Sequence, residues 1–234
     1  MLDKLTQCDT AESLWRTVFH CLEKFGVQAM SYYHLPPVGA HDVDSPFAIR
    51  YGKESPSPQH NETIFFELKK SFIYKCRSLN RRISFEKFVY DLELTQEQIY
   101  LFHKVHGGIE DTQGFIFPCH SANGRTGALF IDMSHLNEID KKTLNFISYL
   151  SQQAHDTYCE IKQSKTKALK HLTAREKEIL TWVAHGKSNS VIADIIGISQ
   201  HTVNGYLRSI YLKTNTSDRT TAVLRGLGDA LIDL

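Results

Sequence analysis

Apolar residues recur along this chain in two periods, and the switches between them mark its elements. Near the N-terminus Ala11, Leu14, Trp15, Val18, Phe19, Leu22 and Phe25 fall at helical spacing, and Gly26 ends the run. Residues 29–35 and 47–51 read as strands, the first stopped by Pro36-Pro37, and the proline-containing stretch 52–61 reads as loop. Helical spacing returns with Ile64, Phe65, Leu68, Phe72 and Ile73. It returns again after Thr95 with Ile99, Leu101, Phe102 and Val105, until Gly107-Gly108 breaks it. Apolar runs at 114–118 and 127–131 flank Asn123-Gly124 and predict a hairpin. An amphipathic helix over 138–162 follows, carried by Leu144, Ile147, Leu150, Ala154, Tyr158 and Ile161. This order predicts an α-β-α sandwich with a mainly antiparallel sheet.

The last quarter is patterned differently, with four short helices and no strand. Thr173-Ala-Arg-Glu176 has the form of a capping box, in which Thr and Glu satisfy two orphan N–H groups. Ile179, Leu180, Val183 and Ala184 form the stripe behind it, and Gly186 stops it. Ser188 caps a second helix whose predicted inner face is Ile192, Ala193, Ile195 and Ile196. Ser199 caps a third, with Val203, Leu207 and Ile210 inward. A fourth, near 218–232, carries Ala222, Val223, Leu227 and Leu231. The spacing of Ala193, Gly197 and Val203 is that of a helix-turn-helix: a small residue lets two helices cross, glycine turns the chain, and valine packs back. The whole is therefore an α+β chain. An α-β-α sandwich (1–163) is joined by a lysine-rich linker (164–171) to an all-α four-helix helix-turn-helix domain (172–234).

Leu172-Thr-Ala-Arg-Glu176, Ala184-His-Gly-Lys-Ser-Asn189, Ile192-Ala193, Gly197-Ile198-Ser199, Thr202-Val203-Asn204 and Arg219 together resemble the DNA-binding domain of LuxR-type transcription regulators. Two departures stand out: Tyr206 replaces a common histidine, and Gly226 and Gly228 interrupt the last helix, which the resemblance makes a dimer contact. A third helix laid in the major groove turns Gln200, His201, Asn204, Gly205 and Arg208 outward. Arg208 suits guanine O6/N7 and Asn204 suits adenine N6/N7, and bare Gly205 lets the helix sit deep. Lys187, Ser188, Thr202 and Lys213 suit phosphate contacts. Ser188 and Ser199 begin helices whose free N–H groups attract phosphate.

Charge does not add to this picture. The formal net charge is +1 across 234 residues, and the C-terminal quarter is nearly neutral, so the motif rather than a basic stripe carries the DNA expectation. No apolar run is long enough to span a bilayer, and the N-terminal residues lack a signal-peptide pattern. Five scattered cysteines without a C-x-x-C fit reduced thiols in a cytoplasm. His103, His106, His120 and Cys119 have metal-ligand chemistry but lack a second clean ligand pair, so no metal is expected. Cys119 beside His120 has no orienting third group, so no catalytic residue and no enzymatic activity are expected.

Gly108-Ile109, Gly114-Phe115-x-Phe117-Pro118-x-His120 and Asn123-Gly124-x-x-Gly127-x-Leu129 resemble the autoinducer-binding domain of the same family. Members that bind acyl-homoserine lactones hold the lactone carbonyl with a tryptophan and the amide N–H with an aspartate. Residues 45–90 contain neither. Tyr51 stands for the tyrosine of that set, with Gly52 in place of the following proline. Phe85 stands for its second aromatic, Glu67 is the acid offered to the amide, and Phe115 and Phe117 complete the candidate lining. An unpaired buried amide N–H costs about 1–3 kcal/mol. The expectation is a small-molecule effector other than an acyl-homoserine lactone held in the usual way, or none, and no cofactor.

Two readings of function follow. In one, the chain is a LuxR-family regulator that binds double-stranded DNA as a homodimer on a near-palindromic site. In the other, it pairs with a related regulator as a heterodimer, co-activating or inhibiting it.

Overall fold

The computed structural model describes residues 5–41, 48–52, 75–100, 113–121, 124–133, 139–166 and 171–233. Its elements are α1 (Ala11–Glu23), β1 (Ala29–Leu35), β2 (Ala48–Gly52), β3 (Ile83–Ser84), α2 (Phe85–Asp91), β4 (Gly114–His120), β5 (Thr126–Asp132) and α3 (Lys141–Thr166). They continue with α4 (Ala174–Ala184), α5 (Asn189–Ile196), α6 (Gln200–Thr214) and α7 (Arg219–Gly228). The chain forms two compact units. The first comprises residues 1–35, 46–121 and 125–161; the second comprises 36–45, 122–124 and 162–234. Among the described residues no helix is long and apolar enough to cross a membrane.

The first unit is built on a five-stranded sheet in the order β2-β1-β5-β4-β3, with every pairing antiparallel. Strand alternation gives the sheet two apolar faces. Met30, Tyr32, Phe117, Leu129 and Ile131 meet Leu14, Trp15, Val18 and Leu22 of α1 and Ile147, Leu150, Ala154 and Tyr158 of α3. The intervening residues Leu35, Ile116, Ala128 and Phe130 meet Phe85, Phe88 and Val89 of α2 on the other face. Trp15 stacks on Tyr32 with ring centroids 3.8 Å apart. The predicted sandwich is this arrangement of sheet between helices.

Local signals fix the ends of these elements. Thr10 caps α1 by accepting from Ser13 N–H, and Gly26 takes φ +80 beyond it. Asp140 accepts from the N–H groups of Lys142 and Thr143 at the start of α3. That helix runs on through Thr166, so the first residues read as linker are helical. Ser84 caps α2, a seven-residue helix that the apolar pattern did not single out. Thr95 and Gln98 each accept the other's backbone N–H on a side-chain oxygen at the start of the helical stretch 96–100. The expected helix through Ile64–Ile73 and the break at Gly107-Gly108 lie outside the described residues.

Candidate nucleic-acid interface

In the second unit α4 to α7 enclose one core of Leu172, Ile179, Leu180, Val183, Ile192, Ala193, Val203, Leu207, Ile210, Ala222 and Ile232. The reciprocal Thr173–Glu176 capping box is present. Ser188 and Ser199 cap α5 and α6, accepting from Val191 and Thr202 N–H respectively. Between those helices Gly197 adopts φ +70, and a Cβ there would meet nothing within 4 Å. Backbone conformation, not space, therefore requires glycine at the turn. Ala193 and Val203 are both buried where α5 and α6 cross.

The inner face of α5 is narrower than its pattern predicts. Ile192 and Ala193 are buried and Ile196 is half-buried, whereas Ile195 is 45 % exposed on the flank it shares with Val191. An eight-residue helix has too few turns to seat four apolar side chains against one partner. Of the two glycines expected to interrupt the last helix, Gly228 ends it, four residues short of the predicted end, whereas Gly226 does not break it. The α7 helix runs through Gly226, which is buried, because a Cβ there would stand 2.8 Å from Leu180 Cδ2.

One side of α6 is open. Ser199, Gln200, His201, Thr202, Gly205 and Arg208 are exposed, Asn204 is half-buried, and Val203, Leu207 and Ile210 point into the core. A Cβ on Gly205 would meet nothing within 4 Å, so the helix backbone is bare there. Lys187 and Ser188, at the start of α5, are exposed as well.

Lys213 departs from this group. Its ammonium lies 2.6 Å from Glu176 Oε2, and the Glu176 side chain is only 4 % exposed. Glu176 also accepts from Ser209 Oγ at 2.6 Å and from Thr173 N–H at 2.7 Å. Burial pushes this carboxyl up, but the bonds from Lys213, Ser209 and Thr173 outweigh it and hold the pKa at about 2. Lys213 is therefore the counter-ion of a buried carboxylate joining α4 to α6. The capping box was legible in sequence; its second role was not, because Ser209 and Lys213 lie more than thirty positions away.

A second network passes beneath the open face. Arg219 donates to Asn189 Oδ1 at 2.8 Å and also to the Lys187 carbonyl, while Asn189 donates to Asn204 Oδ1 at 2.7 Å. Asn189 and Arg219 were visible as motif residues, but nothing in their spacing assigned them to Asn204.

The candidate ligand residues of the first unit do not converge. Tyr51 packs against Phe19 and its hydroxyl donates to the Glu12 carbonyl, on the α1 side of the sheet. Phe115 and Phe117 lie on that same side and line a depression of about 750 Å³ rimmed by Lys75, Arg82 and Lys87. Phe85 lies on the opposite face against Phe130. Alternation along the strands separates them: Phe115 and Phe117 share a face that Ile116, paired with β3 ahead of Phe85, does not. Glu67 lies outside the described residues, as do His103, His106 and Asn123. On the second face, Arg50 donates to the Tyr33 hydroxyl at 3.2 Å, a polar pair beside an otherwise apolar cluster.

Among the described residues, His34, His155 and Cys159 bring metal-ligand atoms within 4.8 Å of one another. They belong to a hydrogen-bonded network instead. Arg125 donates to His34 Nε2 at 3.0 Å, and Tyr32 OH lies 2.6 Å from His155 Nδ1. His155 Nε2 lies 3.4 Å from the Arg125 carbonyl. A guanidinium against one donor makes the cluster a poor host for a cation. Burial lowers the His155 pKa to about 4, so its imidazole is neutral near pH 7. Burial also pushes the Cys119 thiol well above the usual range, which leaves it unreactive, and His120 spends Nε2–H on the Leu79 carbonyl at 2.7 Å.

Residues 170–225 match the family described as bacterial regulatory proteins, luxR family. The transcriptional activator protein LuxR of Aliivibrio fischeri is 35 % identical over 124 residues, covering 51 % of this chain and 50 % of that protein. The chain thus spans about half the length of that curated relative. A crystal structure of Escherichia coli SdiA superposes with a TM-score of 0.70 at 19 % identity, covering 100 % of this chain and 97 % of that one. A structure of SdiA in complex with octanoyl-rac-glycerol gives a TM-score of 0.71 at 17 % identity, covering 100 % and 95 %. Residues 170–225 thus carry a helix-turn-helix of the luxR-family type, and the chain as a whole shares the fold of SdiA.

Proposed function

We propose that this chain is a transcription regulator that reads double-stranded DNA with α6 and binds a near-palindromic site as a homodimer. The observation that carries the reading is the open side of α6, where Gln200, His201, Gly205 and Arg208 face solvent and half-buried Asn204 lies among them. A helix whose apolar positions are spent on its own core and whose outer turns are polar is suited to base edges. Arg208 supplies a bidentate donor for guanine. Exposed Lys187 and the capped N-terminus of α5 supply backbone contacts. The heterodimer reading drew on a near-neutral second unit and a glycine-broken last helix; α7 runs through Gly226 but stops at Gly228, so it stands as the second reading.

The α/β unit is the sensor in this reading. Without the tryptophan and aspartate of lactone-binding relatives, its effector is an uncharged acyl compound held through apolar contact and a few polar groups. Tyr33 and Arg50 are candidates for the latter. The octanoyl-rac-glycerol bound by SdiA is a compound of that class. The purified chain is expected to melt at higher temperature with 1-octanoyl-rac-glycerol and to be unmoved by micromolar acyl-homoserine lactone. The reverse result would overturn the effector assignment.

The DNA reading is tested by selecting sites from randomised duplexes and measuring affinity by fluorescence anisotropy across salt. Arg208→Ala is expected to relax preference at one position of each half-site, and Lys187→Ala to weaken all sequences and lower the salt slope by about one. Equal losses on selected and unrelated duplexes for both variants would reject the orientation of α6.

A further inference from the structure

We infer that Asn189, locked by Arg219, turns the Asn204 amide so that its NH2, and not its oxygen, is the group that points to DNA. The inference rests on the DNA reading above and names the base edge that Asn204 selects. The argument is one of forced orientation. Arginine has five N–H donors and no acceptor. Arg219 lies 2.8 Å from the Asn189 side chain, so Asn189 must present Oδ1 to it. A second bond from Arg219, to the Lys187 carbonyl, holds the guanidinium in place. The other half of the Asn189 amide, its NH2, is then the part that faces Asn204, 2.7 Å away. An NH2 group can only donate, so Asn204 turns Oδ1 toward Asn189. One cation thereby sets the sense of two amides in series.

What remains for DNA is the Asn204 NH2, on a half-buried side chain one turn from exposed His201 and Arg208. Bidentate recognition of adenine needs an acceptor for N6–H and a donor for N7 at once. With its oxygen turned to Asn189, Asn204 keeps only the second half of that pair. Its NH2 suits guanine, which shows two acceptors in the major groove, and thymine O4. It can make one bond to adenine N7. Against cytosine, whose major-groove edge is a donor, it has nothing to offer. The expected order at the position read by Asn204 is guanine or thymine, then adenine, then cytosine.

Asn189→Asp tests this directly. A carboxylate still accepts from Arg219, but its second oxygen can only accept, so Asn204 must turn its NH2 inward and its oxygen outward. Full-length wild type, Asn189→Asp, Asn189→Ala and Asn204→Ala are put through the same selection from randomised duplexes. Wild type is expected to favour guanine or thymine over cytosine by roughly tenfold at one position of each half-site. Asn189→Asp should shift that position toward cytosine and adenine. Asn189→Ala, which frees the Asn204 amide, should raise adenine there, so a folding failure of the Asp variant does not close the test. Asn204→Ala should flatten the position. If Asn204→Ala flattens it while both Asn189 variants leave the base order unchanged, the relay is wrong. If Asn204→Ala changes no position although a site is selected, Asn204 reads no base and the inference fails with the DNA reading intact. If wild type selects no sequence at all, it is the DNA reading that falls.

Discussion

Each unit buries one titratable hub, Glu176 in the second and His155 in the first, and the two are solved in opposite ways. Glu176 is ringed by donors: the Lys213 ammonium, the Ser209 hydroxyl and the Thr173 N–H, all within 2.7 Å. The charged form is the one they stabilise, and the carboxyl stays ionised to about pH 2. His155 has no such ring of partners: burial drives its pKa down to about 4, and the bond to the Arg125 carbonyl, which favours the charged form, does not offset it. Burial opposes both charges; Glu176 has donors enough to outweigh it and His155 does not.

The largest expected effect comes from breaking the charged hub. Glu176→Ala removes half of the capping box and leaves Lys213 and Ser209 facing a buried gap. It should cost the second unit about 3–5 kcal/mol, the range for deleting one partner of a buried ion pair. Urea unfolding followed by Trp182 in a Trp15→Phe background reads that unit. Trp15 in a Trp182→Phe background reads the first, since the chain has 2 tryptophans. A loss below 1 kcal/mol at Trp182 would show that the hub holds little of the fold.

Acidification should separate the same two hubs. The unfolded chain protonates a histidine near 6.5, while folded His155 waits until about 4. The first unit therefore loses stability as pH falls through 6.5 and has lost this part by about 4. Glu176 is protonated near 4.5 when unfolded and at about 2 when folded, so its contribution is whole above 4.5 and gone below about 2. At 1.36 kcal/mol per pH unit each window spans about 3 kcal/mol. Trp15 should thus report destabilisation between pH 6.5 and 4, where Trp182 barely responds. Coincident loss at both tryptophans would break the contrast.

The two units also differ in how far their sequences disclosed them. In the second, structure is local: capping residues, a turn glycine and stripes at i, i+4 and i+7 fall within single helices, and the helix ends came out near their predicted places except that of α7, which stops at Gly228. In the first, β1 was legible from its apolar run, but α2 was not. Seven residues rich in aromatics read equally as strand or core. Which sheet face Tyr51, Phe85, Phe115 and Phe117 occupy depends on register, and no short window fixes register. The same limit applies to function. The outward positions of Arg208 and Gly205 follow from counting along one helix, whereas the pairing of Lys213 with Glu176, 37 positions away, does not.

Caps are the next test of that locality, at a smaller scale. Ser199→Ala removes the side-chain oxygen that accepts from Thr202 N–H and should cost about 1 kcal/mol, read at Trp182. Thr10→Ala does the equivalent at α1 and should cost a similar amount, read at Trp15. If the Ser199 change proves silent, the turn is held by Gly197 and the Ala193–Val203 crossing alone.

The smallest effects should come from two helical glycines, and there the sign matters more than the size. Alanine is favoured over glycine in a helix by up to about 1 kcal/mol, unless the new methyl group has nowhere to go. At Gly205 it meets nothing within 4 Å, so Gly205→Ala should raise the melting temperature of the free protein. At Gly226 it would press on Leu180 Cδ2 at 2.8 Å and Ile232 Cγ1 at 3.2 Å, so Gly226→Ala should lower it. DNA reverses the first result. If α6 sits deep in the major groove at its bare turn, the Gly205 methyl meets a base edge, and the more stable protein binds its selected site more weakly. A Gly205→Ala variant that is both more stable and unchanged in affinity would place that turn of α6 away from the DNA.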